Sequence, residues 1–366
     1  MNIQEIIRHL NLWAPETTAE DYDNVGLLCG NPEMQVSRVL VSLDATEAVV
    51  EEAVRKNCQL LISHHPILFK GLKKFSRKNY ASRALEKAIK NDVALYAFHT
   101  NLDNDALGVN FILSEKIGLQ ADSLKVLRPF RERLIKLSYF VPVENHEAVL
   151  KAVHEAGGGR IGKYYDCSFS VEGRGRFTPG EGANPSTGQI GIPEEVREYK
   201  VDVIVPDYLF SFVLNRLREA HPYEELAYFA SPVLNEWGDK GAGMMGTLPE
   251  AVDFSAFVSI VKKSLCLKML KHTSPVKEKV QTVALCGGSG IFLLPDALAA
   301  GADVFLTADV KYHEFFDADG RIVLMDAGHF ETEQFTSEGI VRNLSAQFPN
   351  IAILLSETKT NPVNYA

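Results

Sequence analysis

The sequence lacks the features that mark secreted, membrane-spanning and disulfide-stapled proteins. Its five cysteines lie far apart and form no C-x-x-C pair, and no apolar run approaches the length of a membrane span. No secretory signal pattern is present, so we expect a cytoplasmic protein in a reducing compartment, without a membrane partner. Acidic residues (47) outnumber Lys and Arg (38), and the net charge of −9 argues against a nucleic-acid binder that relies on a broad basic surface.

What the chain does contain is ordinary for a folded protein of more than one domain. Hydrophobic residues make up 46% and charged residues 23% of the sequence. A length of 366 residues exceeds a comfortable single core, which favours two domains. Strand-like and helix-like segments alternate up to about residue 127. This alternation predicts an α/β fold with a parallel sheet covered on both faces.

Residues 128–239 have a different pattern. One strand-helix-strand is followed by a second, which is the split β-α-β order of a ferredoxin-like α+β domain. The glycine- and proline-rich stretch 173–193 is long for a structureless loop, and such loops are often functional or mobile. The first pattern resumes at about residue 240. We therefore expect a two-lobed, discontinuous α/β domain, 1–127 with 240–366, interrupted by an inserted domain, and a frayed C-terminal tail.

The clearest chemical signal is a histidine pair at the end of an apolar run. Leu60–Ser63 has the composition of a buried strand, and His64, His65 and Pro66 follow it. Side chains alternate along a strand, but where the strand ends the backbone can turn and bring both imidazoles to one space. Taken alone, the pair is equally consistent with polar residues that open a loop.

Two further clusters of polar residues follow strand-like runs. The segment 99–103, with His99 and Asp103, comes directly after the apolar run 93–98. The ends of neighbouring parallel strands are where α/β proteins place function, and both histidine clusters fall at such ends. Near the C-terminus, His329 and Glu333 are four residues apart at a predicted helix start. They share one helix face and can bind one ion, although such pairs also occur as surface contacts.

These positions together predict a metal centre formed by His64, His65, Asp103, His329 and Glu333. Three imidazoles and two carboxylates are too few to close two separate tetrahedral sites, but they suit two open sites that share a carboxylate. Two adjacent ions polarise a substrate oxygen and lower the pKa of a bridging water. Nitrogen and oxygen ligands suit zinc, iron, manganese, cobalt or nickel, and we expect two divalent ions, zinc first.

Five motifs carry a family resemblance. They are D-N-V-G-L at 23–27, S-H-H-P at 63–66, H-T-N-L-D at 99–103, T-A-D-V-K-Y-H at 307–313 and G-H-F-E-T-E at 328–333. The set resembles the GTP cyclohydrolase I type 2 homologue family, also called the NGG-interacting-factor-three-like family. The resemblance covers residues 1 to about 127 and about 240 to 366. One departure is Ala308, at a position where the family commonly has glycine.

The resemblance implies a dinuclear metal centre on the five matching residues. It also implies a homohexameric ring, a toroidal trimer of dimers, in which residues 128–239 are the PII/CutA-like insert of longer members. The implied activity is that of a metal-dependent hydrolase acting on a nucleotide or another ring amide, with His99 or His313 moving the proton. Basic residues between 70 and 78 either hold a triphosphate or form a solvated face. The alternative is a metal-binding regulatory, sensor or scaffold hexamer without turnover, since a fold does not fix a substrate.

Overall fold

The computed structural model describes residues 1–71, 74–131 and 133–365. They form a mixed α/β structure that divides into two compact units, one made of Met1–Arg128 with Asp239–Ala366 and one of Pro129–Gly238. The domain boundaries expected from the sequence, after residue 127 and before residue 240, each differ from these by one residue. Among the described residues, no helix combines the length and the apolar character that crossing a membrane requires.

The strands of the described residues are numbered in chain order. They are β1 (Gly26–Cys29), β2 (Arg38–Ser42), β3 (Leu60–Ser63), β4 (Ala94–Ala97), β5 (Lys125–Phe130), β6 (Leu134–Pro142), β7 (Phe169–Phe177), β8 (Glu194–Pro206), β9 (Tyr228–Val233), β10 (Trp237–Asp253), β11 (Lys271–His272), β12 (Lys279–Leu285), β13 (Val304–Thr307), β14 (Val323–Asp326) and β15 (Ala352–Leu355).

The α-helices of the same residues are numbered in the same way. They are α1 (Ile3–Trp13), α2 (Glu47–Arg55), α3 (Tyr80–Lys90), α4 (Thr100–Asp103), α5 (Val109–Ile117), α6 (His146–Glu155), α7 (Phe210–Ala220), α8 (Phe254–Ser264), α9 (Leu294–Ala299), α10 (His329–Glu333) and α11 (Thr336–Gln347).

Side-chain caps begin several of these helices. Asn2 and Glu5 form a reciprocal capping box at the start of α1. Thr46 accepts a hydrogen bond from the backbone at the start of α2, and Asn79 does so for α3. Each cap satisfies a backbone N–H that has no partner within the helix, so these local sequences fix where the helices begin.

The first lobe of the larger unit is built on a five-stranded sheet of the order β1-β4-β3-β2-β15. β15, β2, β3 and β4 run parallel, and β1 pairs antiparallel with β4. Alternate strand residues pack against α1 and α11 on one face and against α2 and α3 on the other. Burial on both faces explains why these strands are continuous apolar runs.

The second lobe repeats this plan on a six-stranded sheet of the order β11-β14-β13-β12-β10-β5. β12, β13 and β14 are parallel, whereas β10 and β11 pair antiparallel with their neighbours β12 and β14. α5 and α8 pack on one face, and α9 lies in the core cluster of the other. Both lobes therefore present the carboxyl ends of parallel strands, where polar side chains were expected.

The smaller unit has the predicted β-α-β-β-α-β order. Its antiparallel strands lie in the order β7-β8-β6-β9, and α6 and α7 share their core cluster. The loop expected over 173–193 is shorter than predicted, because β7 continues to Phe177 and pairs with β8 from Glu194 onward. Ion pairs across the two strands accompany this pairing; Arg174 and Arg176 both contact Glu195.

The expectation of a frayed C-terminal tail is wrong for residues 356–358. The fully buried carboxylate of Glu52 accepts hydrogen bonds from Ser356 Oγ (2.7 Å) and Thr358 Oγ1 (2.6 Å), and from the backbone N–H groups of Glu357 and Thr358. Burial alone would raise the pKa of Glu52, but these hydrogen bonds and one from Lys56 Nζ (2.7 Å) lower it to about 2. An ionised carboxylate with this many donors ties the tail to α2.

Candidate metal centre

The ends of β3 and β4 bring three imidazoles together. Beyond the end of β3, the backbone N–H groups of His64 and His65 still donate to the carbonyls of Ser42 and Leu43, at the end of the neighbouring strand β2. The ring centroids of His64 and His65 are nonetheless only 5.0 Å apart. His99 follows β4, and its ring centroid lies 5.1 Å from that of His64 and 5.4 Å from that of His65.

Two carboxylates and a fourth imidazole complete the cluster. Asp103, the last residue of α4, places Oδ1 3.6 Å from Nε2 of the fully buried His64. α10 follows β14 and carries His329 and Glu333. Glu333 Oε2 lies 3.0 Å from His65 Nε2 and 3.1 Å from His329 Nε2, and those two nitrogens are 3.3 Å apart. Residues from both lobes therefore meet at one point.

The cluster has the donor geometry of a metal site. Its atoms fall into three overlapping sets, within each of which one donor atom per residue lies within 4.8 Å of the others. The sets are His64 with His65 and His99, His65 with His329 and Glu333, and His64 with Asp103 and Glu333. His64 Nε2 and Asp103 Oδ1 are buried without a hydrogen-bond partner. Buried polar atoms are normally paired, so these two fit a bound cation.

The other ring nitrogen of each histidine is fixed by an acceptor. Nδ1 of His65 donates to Asp44 (2.8 Å), and Nδ1 of His329 donates to Asp309 (2.7 Å). Nδ1 of His64 donates to the carbonyl of Phe98 (2.9 Å). These acceptors have no hydrogen to give, so Nδ1 must carry the proton and Nε2 faces the cluster. Such partners orient metal-ligating histidines.

His99 is held in the same way by a buried carboxylate. Asp23 Oδ2 lies 2.7 Å from His99 Nδ1 and also accepts a hydrogen bond of 2.6 Å from Thr100 Oγ1. Burial raises the pKa of Asp23, but the hydrogen bonds and the charge of His99 outweigh burial and hold this pKa well below its usual range. His99 therefore presents its Nε2 toward the same cluster.

The cluster has strongly displaced protonation equilibria. Burial lowers the pKa of His64 to about 3 and raises that of Asp103 to about 7. Burial also opposes charge on His65 and His329, but their carboxylate partners outweigh it and raise these pKa values to about 10 and about 9. Burial alone would raise the pKa of Glu333, but its hydrogen bonds with His329 and His65 hold it well below the ordinary value. At neutral pH, protons on His65 and His329 thus occupy positions that cations would otherwise take.

Two residues beside the cluster, Asn110 and Gly288, contact its carboxylate-bearing residues. Buried Asn110 donates to the Asp103 carbonyl (3.0 Å) and accepts from the N–H of Gly287 (2.9 Å). Gly288 has φ +61°, and a Cβ there would lie 2.3 Å from Glu333 Oε1. Glycine adopts this positive φ without strain, and its missing side chain leaves room for the carboxylate of Glu333.

Other predicted site residues lie elsewhere. The ring of His313 contacts those of Tyr312 and Phe316, and it belongs to none of the metal-ligating sets in the described residues. In the basic run, Lys70, Lys74 and Lys78 are exposed and Arg77 pairs with Glu86 (3.1 Å), as in a solvated face. Lys73 belongs to the same prediction and lies outside the described residues.

Two lobes whose strand ends gather histidines and carboxylates define an α/β protein with a candidate metal centre. The chain belongs to the Duf34/NIF3 (NGG1p interacting factor 3) family, whose model matches residues 1–362. A Bacillus subtilis relative named GTP cyclohydrolase 1 type 2 homolog is 36% identical over 371 residues, covering 100% of this chain and 99% of the relative. A relative of the same name from Halalkalibacterium halodurans is 35% identical, with the same coverage.

Solved structures show the same relationship. A Bacillus cereus protein described as related to NIF3 has a TM-score of 0.85 at 36% identity, covering 100% of this chain and 99% of that one. A Staphylococcus aureus protein has a TM-score of 0.79 at 28% identity with the same coverage. The whole chain, including its smaller unit, therefore has counterparts of similar length and fold.

Proposed function

We propose that this protein is a metal-dependent hydrolase whose centre holds two divalent cations, zinc first, with iron, manganese, cobalt or nickel as alternatives. The observation that carries the proposal is the position of Glu333. Its Oε2 faces His65 and His329, while its Oε1 lies 3.9 Å from His64 Nε2, on the side of Asp103. One carboxylate is thus shared by two donor sets, as a bridging ligand of a dinuclear site requires.

The chain's own residues prepare this site for hydrolysis. Bound cations would supply Lewis-acid polarisation of a substrate oxygen and a lowered pKa for water. Asp44 and Asp309 hold the rings of His65 and His329 through Nδ1, so the Nε2 atoms of both rings already face the cluster. His99, with Nδ1 held by Asp23, is placed to accept or donate a proton at Nε2 beside the other rings. This geometry favours His99 over His313 as the proton carrier.

The substrate class and the assembly are part of the same proposal. The name of the Bacillus subtilis relative supports a cyclohydrolase-type reaction on a nucleotide or another ring amide. We propose a cytoplasmic homohexamer, a toroidal trimer of dimers, with 1–127 and 240–366 as the metal-binding domain. The β-α-β-β-α-β order and antiparallel sheet of the smaller unit support a PII/CutA-like insert over 128–239.

Turnover by the metal-loaded protein is the direct test. We would assay nucleotides, cyclic amides and phosphodiesters with the unmodified chain, with His64→Ala and with His272→Ala, which changes an exposed histidine outside the cluster. The proposal requires that His64→Ala abolishes turnover while His272→Ala retains it. Anomalous scattering at the absorption edges of the candidate metals would report the number and the identity of the ions.

Further outcomes separate the alternatives. If no substrate turns over and the hexamer persists without metal, the metal-binding sensor or scaffold is favoured. If no substrate turns over and the oligomer dissociates on chelation, the ions have a structural role. His99→Ala and His313→Ala distinguish the two candidate proton carriers, and we expect only His99→Ala to remove one limb of the pH–rate profile.

A further inference from the structure

The C-terminal segment, residues 359–365, lies on one side of the candidate metal centre. Its residues 361–363 and 365 line a cavity of about 470 Å³, and of the five proposed ligands His65 and His329 line this cavity too. These two histidines share a donor set with Glu333 Oε2, and we call that set the His65/His329 site. The segment therefore borders one of the two proposed ion sites.

Thr360 reaches His65 through a carboxylate. Its Oγ1 donates to Asp44 Oδ2 (2.5 Å), and Asp44 Oδ1 accepts from His65 Nδ1 (2.8 Å). The two contacts use different oxygens, so the hydroxyl holds one end of the carboxylate and the imidazole is held at the other. The terminal torsion of an aspartate has broad preferences, so its plane is set by its partners. Thr360 thus fixes the plane of the carboxylate that orients His65.

A second set of contacts joins the segment to the helix that carries His329. Asn361 Nδ2 and Tyr365 OH both donate to Oε1 of Glu331 (3.3 Å each). Glu331 is the central residue of α10, which has five residues and carries His329 and Glu333 at its two ends. The segment therefore contacts both the carboxylate that holds one histidine of the site and the short helix that supplies the other.

The second proposed ion site has other supports. It consists of His64, Asp103 and Glu333 Oε1, and we call it the His64/Asp103 site. His64 Nδ1 donates to the carbonyl of Phe98, and the carbonyl of Asp103 accepts from Asn110 Nδ2. These supporting groups lie outside the C-terminal segment, so separate parts of the chain hold the two sites.

We infer that Thr360 is a positioning residue for metal binding, and that it acts through Asp44 on the His65/His329 site alone. The hydroxyl touches no ion, and its role is to set the orientation in which Asp44 holds His65. The other contacts of segment 359–365 keep Thr360 in place beside α10. The inference rests on the proposed dinuclear centre and makes the C-terminal segment part of it.

One matched set of variants tests the hydroxyl. Thr360→Val replaces it with a methyl group of similar size, and Thr360→Ser restores it. Thr358→Val is the control, because the Thr358 hydroxyl donates to Glu52 (2.6 Å) from the same tail but away from the ligands. Competition with a chromophoric chelator gives the Zn²⁺ affinities, and thermal unfolding of the metal-free proteins reports stability.

We expect Thr360→Val to weaken the binding of one Zn²⁺ ion by about tenfold, the lower end of what loss of a ligand's support costs, because the hydroxyl acts one partner further out. Thr360→Ser should recover most of this affinity, and Thr358→Val should keep it even if its stability falls. Unaltered affinity in Thr360→Val, no recovery in Thr360→Ser, or an equal loss in Thr358→Val would contradict the inference.

Two single-site backgrounds identify the ion that responds. Asp103→Asn removes a ligand of the His64/Asp103 site and leaves the His65/His329 site, whereas His329→Ala does the reverse. Adding Thr360→Val should weaken Zn²⁺ binding by about tenfold in the Asp103→Asn background and leave it unaltered in the His329→Ala background. Equal losses in both backgrounds would indicate a general loosening of the fold instead of support for one site.

A double-mutant cycle tests the route through Asp44. Asp44→Ala should weaken Zn²⁺ binding on its own, and adding Thr360→Val should then cost little more, because the hydroxyl has no carboxylate left to orient. Additive losses would show that Thr360 acts by another route. Each of these readouts is independent of turnover: an unmodified chain that binds no Zn²⁺ refutes the dinuclear centre itself, whereas tight binding that Thr360→Val leaves unchanged refutes this inference only.

Discussion

Replacing Gly288 with alanine tests whether Glu333 is held in place to bind metal. Gly288 has φ +61°, and an added Cβ would lie 2.3 Å from Glu333 Oε1 and 3.2 Å from His329 Cε1. Gly320 offers a matched control, since it has φ +62° and an added Cβ would meet nothing within 4 Å. Both substitutions place alanine in the left-handed region, but only Gly288→Ala places a methyl group against two of the proposed metal ligands, Glu333 and His329.

Both variants should therefore lose stability, but only Gly288→Ala should also lose metal affinity. Holding an L-residue in the left-handed region costs about 1–2 kcal/mol, so both should lower the free energy of unfolding by roughly that amount. Gly288→Ala must in addition shift the carboxylate that faces both donor sets. Disturbing the support of a metal ligand typically reduces metal affinity by about 10–100-fold, and we expect a loss of that size in Gly288→Ala alone.

Competition with a chromophoric chelator gives the metal affinities, elemental analysis gives the metal content, and thermal unfolding of the metal-free proteins gives the shared cost. Equal metal affinities in Gly288→Ala and Gly320→Ala would refute the reasoning, because the contact with Glu333 would then have no consequence for binding. Equal unfolding of the metal-free variants with unequal affinities is the expected pattern.

The remaining predictions concern protons and the C-terminal anchor. The pKa values of His65 and His329 are raised to about 10 and about 9, so metal binding near pH 7 should release their protons, and metal affinity should rise with pH up to that range. Calorimetry in buffers of different ionisation enthalpy counts the released protons. A metal affinity that does not change with pH would contradict this prediction. Because the pKa values of His65 and His329 are raised in the folded protein, protonation of these histidines stabilises the metal-free fold most fully below pH 6.5, their ordinary pKa. The thermal stability of the metal-free protein should therefore fall as the pH rises from 6.5 toward 10. Glu52→Gln should lower the free energy of unfolding, measured in urea, by about 2–3 kcal/mol. Glu51→Gln, which changes an exposed residue of the same helix, should lower it little. Because the pKa of Glu52 is lowered from 4.5 to about 2, this contribution should disappear as pH falls through that window, and acid titration of the two variants checks it.

The sequence was most informative where a residue's role follows from its place beside a strand. His64 and His65 follow β3, His99 follows β4, and α10 with His329 begins three residues after β14. Burial on both sheet faces makes these strands apolar, so a polar side chain just beyond them stands out in the sequence. β3 and β4 are neighbouring parallel strands of one sheet, so the sequence places the residues that follow them close together. β14 lies in the other sheet, and the sequence joins His329 and Glu333 to the same site only through the number of ligands that a dinuclear centre needs and through the family resemblance.

Residues that support the ligands were harder to recognise. Asp44 comes two residues after β2 and Asp309 two residues after β13, so the same signal was available for both. Nothing local, however, indicates which histidine each one holds. The role of Asn110 is beyond sequence reasoning, because it depends on two backbone groups from opposite lobes that meet only after the lobes pack.

The anchored tail shows the same limit at a larger sequence distance. A polar stretch near a terminus is typically frayed, because it buries little apolar surface. Here the partner is the buried carboxylate of Glu52, which is more than 300 residues away in the sequence and appears there as one charged position in an amphipathic helix. A buried charge is tolerated only when it is satisfied, so the tail's hydrogen bonds and the burial of Glu52 depend on each other.

Neither lobe holds all the residues of the candidate metal centre. The first contributes His64, His65 and Asp103, and the second contributes His329 and Glu333, whose two carboxylate oxygens face both donor sets. Metal affinity therefore measures how well the two lobes are packed together as well as the quality of the ligands. It follows that substitutions which loosen this packing without touching a ligand, at Asn110 above all, should be detected first as lost metal and only afterwards as lost fold.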